Sequence, residues 1–196
     1  MSKPLRLLVL AGGLVAGSLV PAAEPIKPEH RVMTLTREES QAAKVFVERL
    51  QEYLTLHRKL EATLPSLGKE ASPEEIDKHQ RGLGTLIAAA RADAKRGEFF
   101  TPQVQGLVRR TLAVVLGGRD ARTIRASIMD ENPGVPNLKV NDRYPDSIPL
   151  STMPPEVLEP LPKLDEDLEY RFVGERLVLL DAHAHIIIDF TDDVLP

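Results

Sequence analysis

The sequence predicts a mixed α+β protein: an N-terminal antiparallel helical bundle, then a Pro-rich segment, then a small three-stranded antiparallel sheet. Three observations carry this. Capping residues stand ahead of apolar positions that recur at steps of three and four across residues 36–131. Eight prolines fall between Asn132 and Pro162, which reads as an extended, wrapped segment. From Leu168 onward the apolar residues alternate, as strands with a buried face require.

The first helix begins at a capping box, Thr36-Arg37-Glu38-Glu39. The Thr36 hydroxyl can accept from the Glu39 backbone N–H, and the Glu39 carboxylate can accept from that of Thr36. Phe46, Leu50, Tyr53, His57, Leu60 and Leu64 follow on one stripe, so the helix should run from about Arg37 to Thr63 and end in Leu64-Pro65-Ser66-Leu67-Gly68. Ser72-Pro73-Glu74-Glu75 is a second start, with proline in the first turn. Ile76, Leu83, Ile87, Ala90 and Ala94 mark its buried stripe, and Gly97 suits a C-terminal cap. Gly82 and Gly84 weaken this helix by about 1 kcal/mol each relative to alanine, which the close approach of another helix would explain. Thr101-Pro102 opens a third helix bearing Val104, Leu107, Val108, Thr111, Leu112 and Val115; Gly117-Gly118 interrupts it. Asp120 to Met129 reads as a short fourth helix. Short connections favour antiparallel neighbours.

After the extended stretch 132–167, Leu168 to Val173 alternates with Leu168, Tyr170 and Phe172 on one face. Gly174-Glu175 suits a two-residue turn with glycine first, Leu177 to Leu180 returns, and Ile186 to Phe190 supplies the third strand of residues 168–196.

Residues 1–22 read as a secretory signal peptide. Lys3 and Arg6 precede the uncharged run LLVLAGGLVAGSLV, and Val20 and Ala22 suit a cleavage site after Ala22, with the bond after Ala23 as the alternative. That run is shorter than the roughly 20 residues of a membrane span. Residues 23–35 would be a flexible N-terminal segment, and the expected location is periplasmic or secreted, with no stable membrane span after cleavage. The chain has no cysteine, so its fold rests on packing without disulfides. Losing Lys3 and Arg6 takes the formal charge from −4 to −6. An acidic, exported chain with eight aromatics is a poor nucleic-acid binder. Charge is uneven: Arg91 to Arg125 holds 8 basic and 3 acidic residues, whereas Asp130 to the end holds 5 basic and 15 acidic. The two stretches can face each other, or Arg119, Arg122 and Arg125 can present an anion-binding face to an envelope protein or an anionic envelope polymer.

The run LLDAHAHIIIDF, Leu179 to Phe190, offers metal chemistry. In a continuous strand Asp181, His183 and His185 would point the same way and present one carboxylate and two imidazoles to a divalent transition metal. Against this, aspartate and alanine suit a turn at Asp181 to Ala184, which would leave His183 and His185 facing solvent. A second pair, His57 and His79, should sit at similar heights in a helical hairpin and form a seam or a pH-sensitive contact. The sequence carries no Gly-x-Ser-x-Gly elbow, phosphate-cradling glycine loop or His-Glu-x-x-His, and the acids of Asp165 to Glu169 lack calcium-loop spacing.

The pair in Asp181-Ala182-His183-Ala184-His185 resembles the His-x-His that ends the first strand of amidohydrolase-type barrels. In those enzymes a barrel follows the motif; here eleven residues follow His185, none of them histidine or cysteine, and a hydrolase is not expected. The runs EATLPSLGKEASPEEIDKHQRGL and AARADAKRGEFFTP and the ending LEYRFVGERLVLLDAHAHIIIDF resemble exported bacterial proteins of no assigned activity. VNDRYPDSIPLSTMPP with that ending is also similar to the C-terminal part of periplasmic nickel/cobalt-homeostasis proteins, where a proline-bearing segment leads into a Tyr-x-Trp-x-x-x-Gly-like strand, a turn and two further strands. Tyr170, Phe172 and Gly174 stand at the matching places, with Phe for Trp and a shorter spacing, and Ala184-His185 stands where that family has a Thr-Gly turn. The resemblance implies three strands.

The expectation is thus an exported, non-catalytic envelope protein that binds or scaffolds a partner and needs no cofactor. The alternative is a periplasmic metal-binding or metal-homeostasis protein using Asp181, His183 and His185.

Overall fold

The computed structural model describes residues 34–118, 121–130, 137–148 and 153–196. The leader, its cleavage site, most of the segment 23–35, Arg119 and parts of the Pro-rich stretch lie outside the described residues.

The fold is α+β, in the order α1 (Arg37–Glu61), α2 (Pro73–Ala90), α3 (Pro102–Leu116), α4 (Ala121–Asp130), α5 (Pro155–Leu158), β1 (Leu168–Val173), β2 (Arg176–Asp181) and β3 (Ile186–Thr191). Both capping boxes form. Thr36 Oγ1 accepts from Glu39 N, and Glu39 accepts from Thr36 N at 2.8 Å. Ser72 and Glu75 repeat the exchange. Helix α1 buries Phe46, Leu50, Tyr53, Leu54 and His57 on the stripe expected from spacing, and packs against both α2 and α3.

The sheet has the order β1-β2-β3, antiparallel throughout, with Leu168 opposite Asp181 and Phe172 opposite Leu177. Gly174 turns the first hairpin at a φ of 60°, a conformation glycine adopts at little steric cost. One face carries Leu168, Tyr170, Phe172, Leu177, Leu179 and Ile186 into a core shared with Phe46, Leu50, Leu83, Ile87 and Phe100 of the helical side. The other face, with Val173, Val178, Leu180, Ile187 and Phe190, is covered by Leu138 and Tyr144 from the Pro-rich segment. Because both faces are covered, β2 and β3 read as nearly continuous apolar runs.

Register shifts between Leu179 and Leu180, which pair with Asp189 and Ile187 and leave Ile188 as the extra residue. Strict alternation would send Asp189 to the opposite face from Ile188. The bulge keeps it on the helical side, where Oδ1 accepts from Gly97 N (2.9 Å) and Phe190 N (2.8 Å), and Oδ2 from Phe99 N (2.8 Å) and Phe100 N (2.9 Å).

Several boundaries differ from expectation. Helix α2 stops at Ala90 instead of reaching Gly97. Arg91 leaves helical geometry, and its guanidinium is drawn inward to Asn141, Glu98 and the Ile188 carbonyl. Gly97, at a φ of 87°, instead shapes the turn that presents the amides to Asp189. On α2 the buried stripe is His79, Leu83 and Ile87, while Ile76 is exposed. Gly84 admits the β2–β3 turn, not another helix: a Cβ there would stand 2.9 Å from Ile186 Cγ2 and 3.2 Å from Ala184 O. The Pro-rich segment is not wholly extended. It holds the single turn α5, entered through Pro154-Pro155, with Val157 buried.

Candidate metal centre

Helix α1 turns polar at its C-terminal end. Tyr53, His57 and Glu61 stand four apart, continuing the stripe that begins with Phe46 and Leu50. Opposite them, strand alternation on β2 sends Leu177, Leu179 and then Asp181 to the helical side. Asp181 is fully buried. Its Oδ2 accepts from the Tyr53 hydroxyl at 2.6 Å and stands 2.6 Å from His57 Nδ1; its Oδ1 accepts from Ala184 N at 2.7 Å. The last bond closes the turn between β2 and β3, and Ala182 N bonds to Asp167 O at 2.9 Å to fix its other side.

The turn forms where Asp-Ala-His-Ala predicted it, but its histidines are not solvent decoration. His183 folds back over α1 and α2: its ring centroid lies 5.6 Å from that of His57 and 6.0 Å from that of His79. The Nε2 atoms of three histidines then face one carboxylate, Glu61. His57 stands at 3.6 Å, His79 at 3.6 Å and His183 at 3.4 Å. His57, Glu61 and His183 can each offer one ligand atom within 4.8 Å of the others. His183 Nδ1 lies 3.6 Å from Asp167, whose neighbour Asp165 is held by Arg58.

The three residues proposed from the Asp181-x-His183-x-His185 pattern therefore do not converge. Asp181 is spent on Tyr53, His57 and Ala184 N. His185 adopts a φ of 55° and turns its ring to Tyr144, 5.7 Å away, with Asp146 at 3.7 Å from its Nε2. A turn replaces the continuous strand that would have aligned the side chains, because Asp181 itself supplies the bond that closes it. Burial lowers His185 below the ordinary histidine range, and Arg143 adds to this.

Electrostatics favour a cation at the cluster. Glu61, Asp167 and Asp181 surround the imidazoles, with Arg58 at the rim. Burial alone would lower the His57 pKa, but the hydrogen bond and charge of Asp181, with Asp167 and Glu61 behind it, raise it. Tyr53 is raised by burial and then by the Asp181 charge, so it remains a hydroxyl donor. With Nδ1–H pointing to Asp181, the neutral His57 ring presents its lone pair at Nε2, the arrangement by which a second carboxylate orients a metal-binding imidazole. The Nε2 atoms of His57 and His79 are buried and have no hydrogen-bond partner among the described residues.

Of the arginines expected to form an anion face, Arg125 pairs with Glu175 and the Pro196 carbonyl, and Arg122 is exposed on α4. Neighbouring arginines are likewise paired within the chain: Arg110 binds Glu39, and Arg109 binds the Asp192 and Asp193 carbonyls. Among the described residues no helix is long and apolar enough to cross a membrane.

Sequence spacing placed His57 and His79 together, and the turn placed His183, but nothing local joined the two. The one available signal was Glu61, four residues after His57 at the end of an apolar stripe. No protein-family model, curated protein or solved structure matches the chain.

Proposed function

We propose that this is an exported, non-catalytic protein of the cell envelope that binds one divalent transition-metal ion through His57, Glu61 and His183. The observation that carries it is the convergence of buried or half-buried imidazole nitrogens on one carboxylate, with His57 already oriented by Asp181. Imidazole with carboxylate suits zinc and its neighbours. The competing picture, an arginine face that captures an anionic partner, is less well supported because Arg109, Arg110 and Arg125 bind acidic or carbonyl groups of the same chain. In this reading the helices form an antiparallel bundle and the Pro-rich stretch is the strap that seals the outer face of the sheet. Export rests on the leader pattern of residues 1–22.

The test is metal titration of the purified mature chain after chelation, with zinc, cobalt(II) and nickel(II) as probes and elemental analysis as readout. One equivalent is expected. His57→Ala and His183→Ala should lose it, while His185→Ala should retain it because that ring lies against Tyr144. Absence of stoichiometric metal from the parent protein, or equal binding by the His183→Ala variant, would defeat the proposal. N-terminal sequencing of the exported chain tests cleavage after Ala22.

A further inference from the structure

Resting on that metal reading, we infer that His79 is the fourth ligand, so that the ion sits in a closed His3Glu tetrahedron of the zinc class with no coordinated water. With Zn–N and Zn–O bonds of about 2.0–2.2 Å, the edges of such a tetrahedron are about 3.3–3.6 Å. Glu61 Oε1 lies 3.6 Å from His79 Nε2 and 3.4 Å from His183 Nε2, both on that scale, while His57 Nε2 lies 3.6 Å from the other carboxylate oxygen, Oε2. His79 therefore stands as close to the shared carboxylate as the two other histidines do. Its ring is stacked on that of His183 with planes 25° apart, and it stands outside the set formed by His57, Glu61 and His183, whose ligand atoms lie within 4.8 Å of one another. Closing the tetrahedron therefore requires the His79 ring to move toward His57 and His183 as the ion binds.

Burial supports the assignment. The His79 side chain is 7% exposed and that of His57 is wholly buried, yet the Nε2 of each lacks a hydrogen-bond partner among the described residues. A buried polar atom left unpaired costs about 1–3 kcal/mol, a cost a bound ion removes. His183 and Glu61 remain partly open at 36% and 31%, so they form the entrance and the two buried imidazoles form the floor. In the closed site His79 takes the floor position that a coordinated water would otherwise occupy.

Two consequences follow. The site holds an ion and does not offer it to a substrate, because no coordination position remains open. It also prefers ions content with four tetrahedral ligands, zinc and cobalt(II), over those that favour square-planar or tetragonal geometry, nickel(II) and copper(II).

Cobalt(II) is the probe, because its visible bands are intense in a tetrahedral site and weak when waters raise the coordination number. The mature chain loaded with cobalt should show intense bands. His79→Ala should still bind one cobalt, more weakly, with bands several-fold less intense, and added imidazole should restore them. His185→Ala, with equal histidine loss, should leave the spectrum unchanged. Zinc X-ray absorption of the parent protein needs no variant: three imidazoles support the assignment, and two imidazoles with added oxygen overturn it. An unchanged cobalt spectrum and affinity in His79→Ala would also overturn it while leaving the three-ligand metal reading intact. A parent protein that binds no cobalt or zinc would overturn both.

Discussion

The Asp181 carboxylate, at the end of β2, lies 2.6 Å from Nδ1 of His57 on α1, a residue 124 positions earlier. Both side chains are wholly buried. The contact ties the sheet to the longest helix, sets which imidazole nitrogen faces Glu61, and through Ala184 N also shapes the turn that delivers His183. One side chain thus links the second strand, its turn and the candidate ligands. A buried carboxylate is tolerated here because each oxygen has a donor in reach: the Tyr53 hydroxyl and His57 Nδ1 at Oδ2, and Ala184 N at Oδ1.

Asp181→Asn should weaken zinc binding by about 10–100-fold, the usual effect of removing a carboxylate that orients a metal-binding histidine. It should also lower stability by about 1–3 kcal/mol, since an amide cannot accept at both ends. Tyr53→Phe removes one donor and leaves the His57 contact, so its effect on zinc should be smaller. Competition titrations and thermal unfolding of the three proteins check the order. Equal zinc affinity for Asp181→Asn and the parent would mean that Asp181 does not position His57.

The metal-free protein should lose stability as pH rises above 6.5. The pKa of His57 is raised from 6.5 in the fold, against the effect of burial, by the Asp181 hydrogen bond and by nearby carboxylates. A raised folded value means that its contribution is fully present below the unfolded value and is lost as pH climbs through the folded one. Zinc should behave oppositely: it takes the neutral ring, so its affinity rises over the same interval. Melting curves with chelator and with excess zinc, at steps from pH 6 to about pH 9, should therefore separate as pH increases. The sign is wrong if the chelated protein gains stability across that range.

Local rules made much of the fold readable. The capping boxes at Thr36 and Ser72 form with both reciprocal bonds because they involve residues only three apart. Alternation found Leu168 to Val173 at its exact bounds and the later strands to within a residue or two. What failed was long-range. Helix α2 ends early because Arg91 is claimed by Asn141 and Ile188, distant in sequence. Asp189 faces the helices because of a bulge that period-two reasoning has no way to place. The candidate site was half legible: His57 with His79, and a turn at Asp181, were each visible alone. Joining them required knowing that β2 runs its inner face onto the C-terminal half of α1. The pattern Asp-x-His-x-His misled because residues two apart share a face only where the strand continues.

Asp189→Asn should destabilise the protein by about 2–4 kcal/mol, because whichever oxygen becomes an amide then points N–H groups at two backbone N–H donors. Its present partners are Gly97, Phe99, Phe100 and Phe190. The damage should extend to the Gly97–Phe100 turn, which that carboxylate organises, and should appear as faster amide exchange at Phe99 and Phe100. Slow exchange there in the variant would show that the turn holds its shape without the carboxylate.

Glycine-to-alanine changes at three helical positions should differ in sign. Alanine removes a propensity penalty of about 1 kcal/mol at each. At Gly106 a Cβ meets nothing within 4 Å, so the full gain should appear. At Gly82 it meets the Leu64 methyls at 3.5 Å, an ordinary contact, and the gain should survive. At Gly84 it would stand 2.9 Å from Ile186 Cγ2 and 3.2 Å from the Ala184 carbonyl, forcing α2 away from the β2–β3 turn. Overpacking of this kind costs about 1–3 kcal/mol, which outweighs the propensity gain. Because that turn carries His183 and α2 carries His79, Gly84→Ala should also weaken metal binding, whereas Gly82→Ala and Gly106→Ala should leave it unchanged. Thermal unfolding with and without zinc measures both effects, and a stabilised Gly84→Ala with parental zinc affinity would show that the helix and the turn are less closely apposed than 2.9 Å requires.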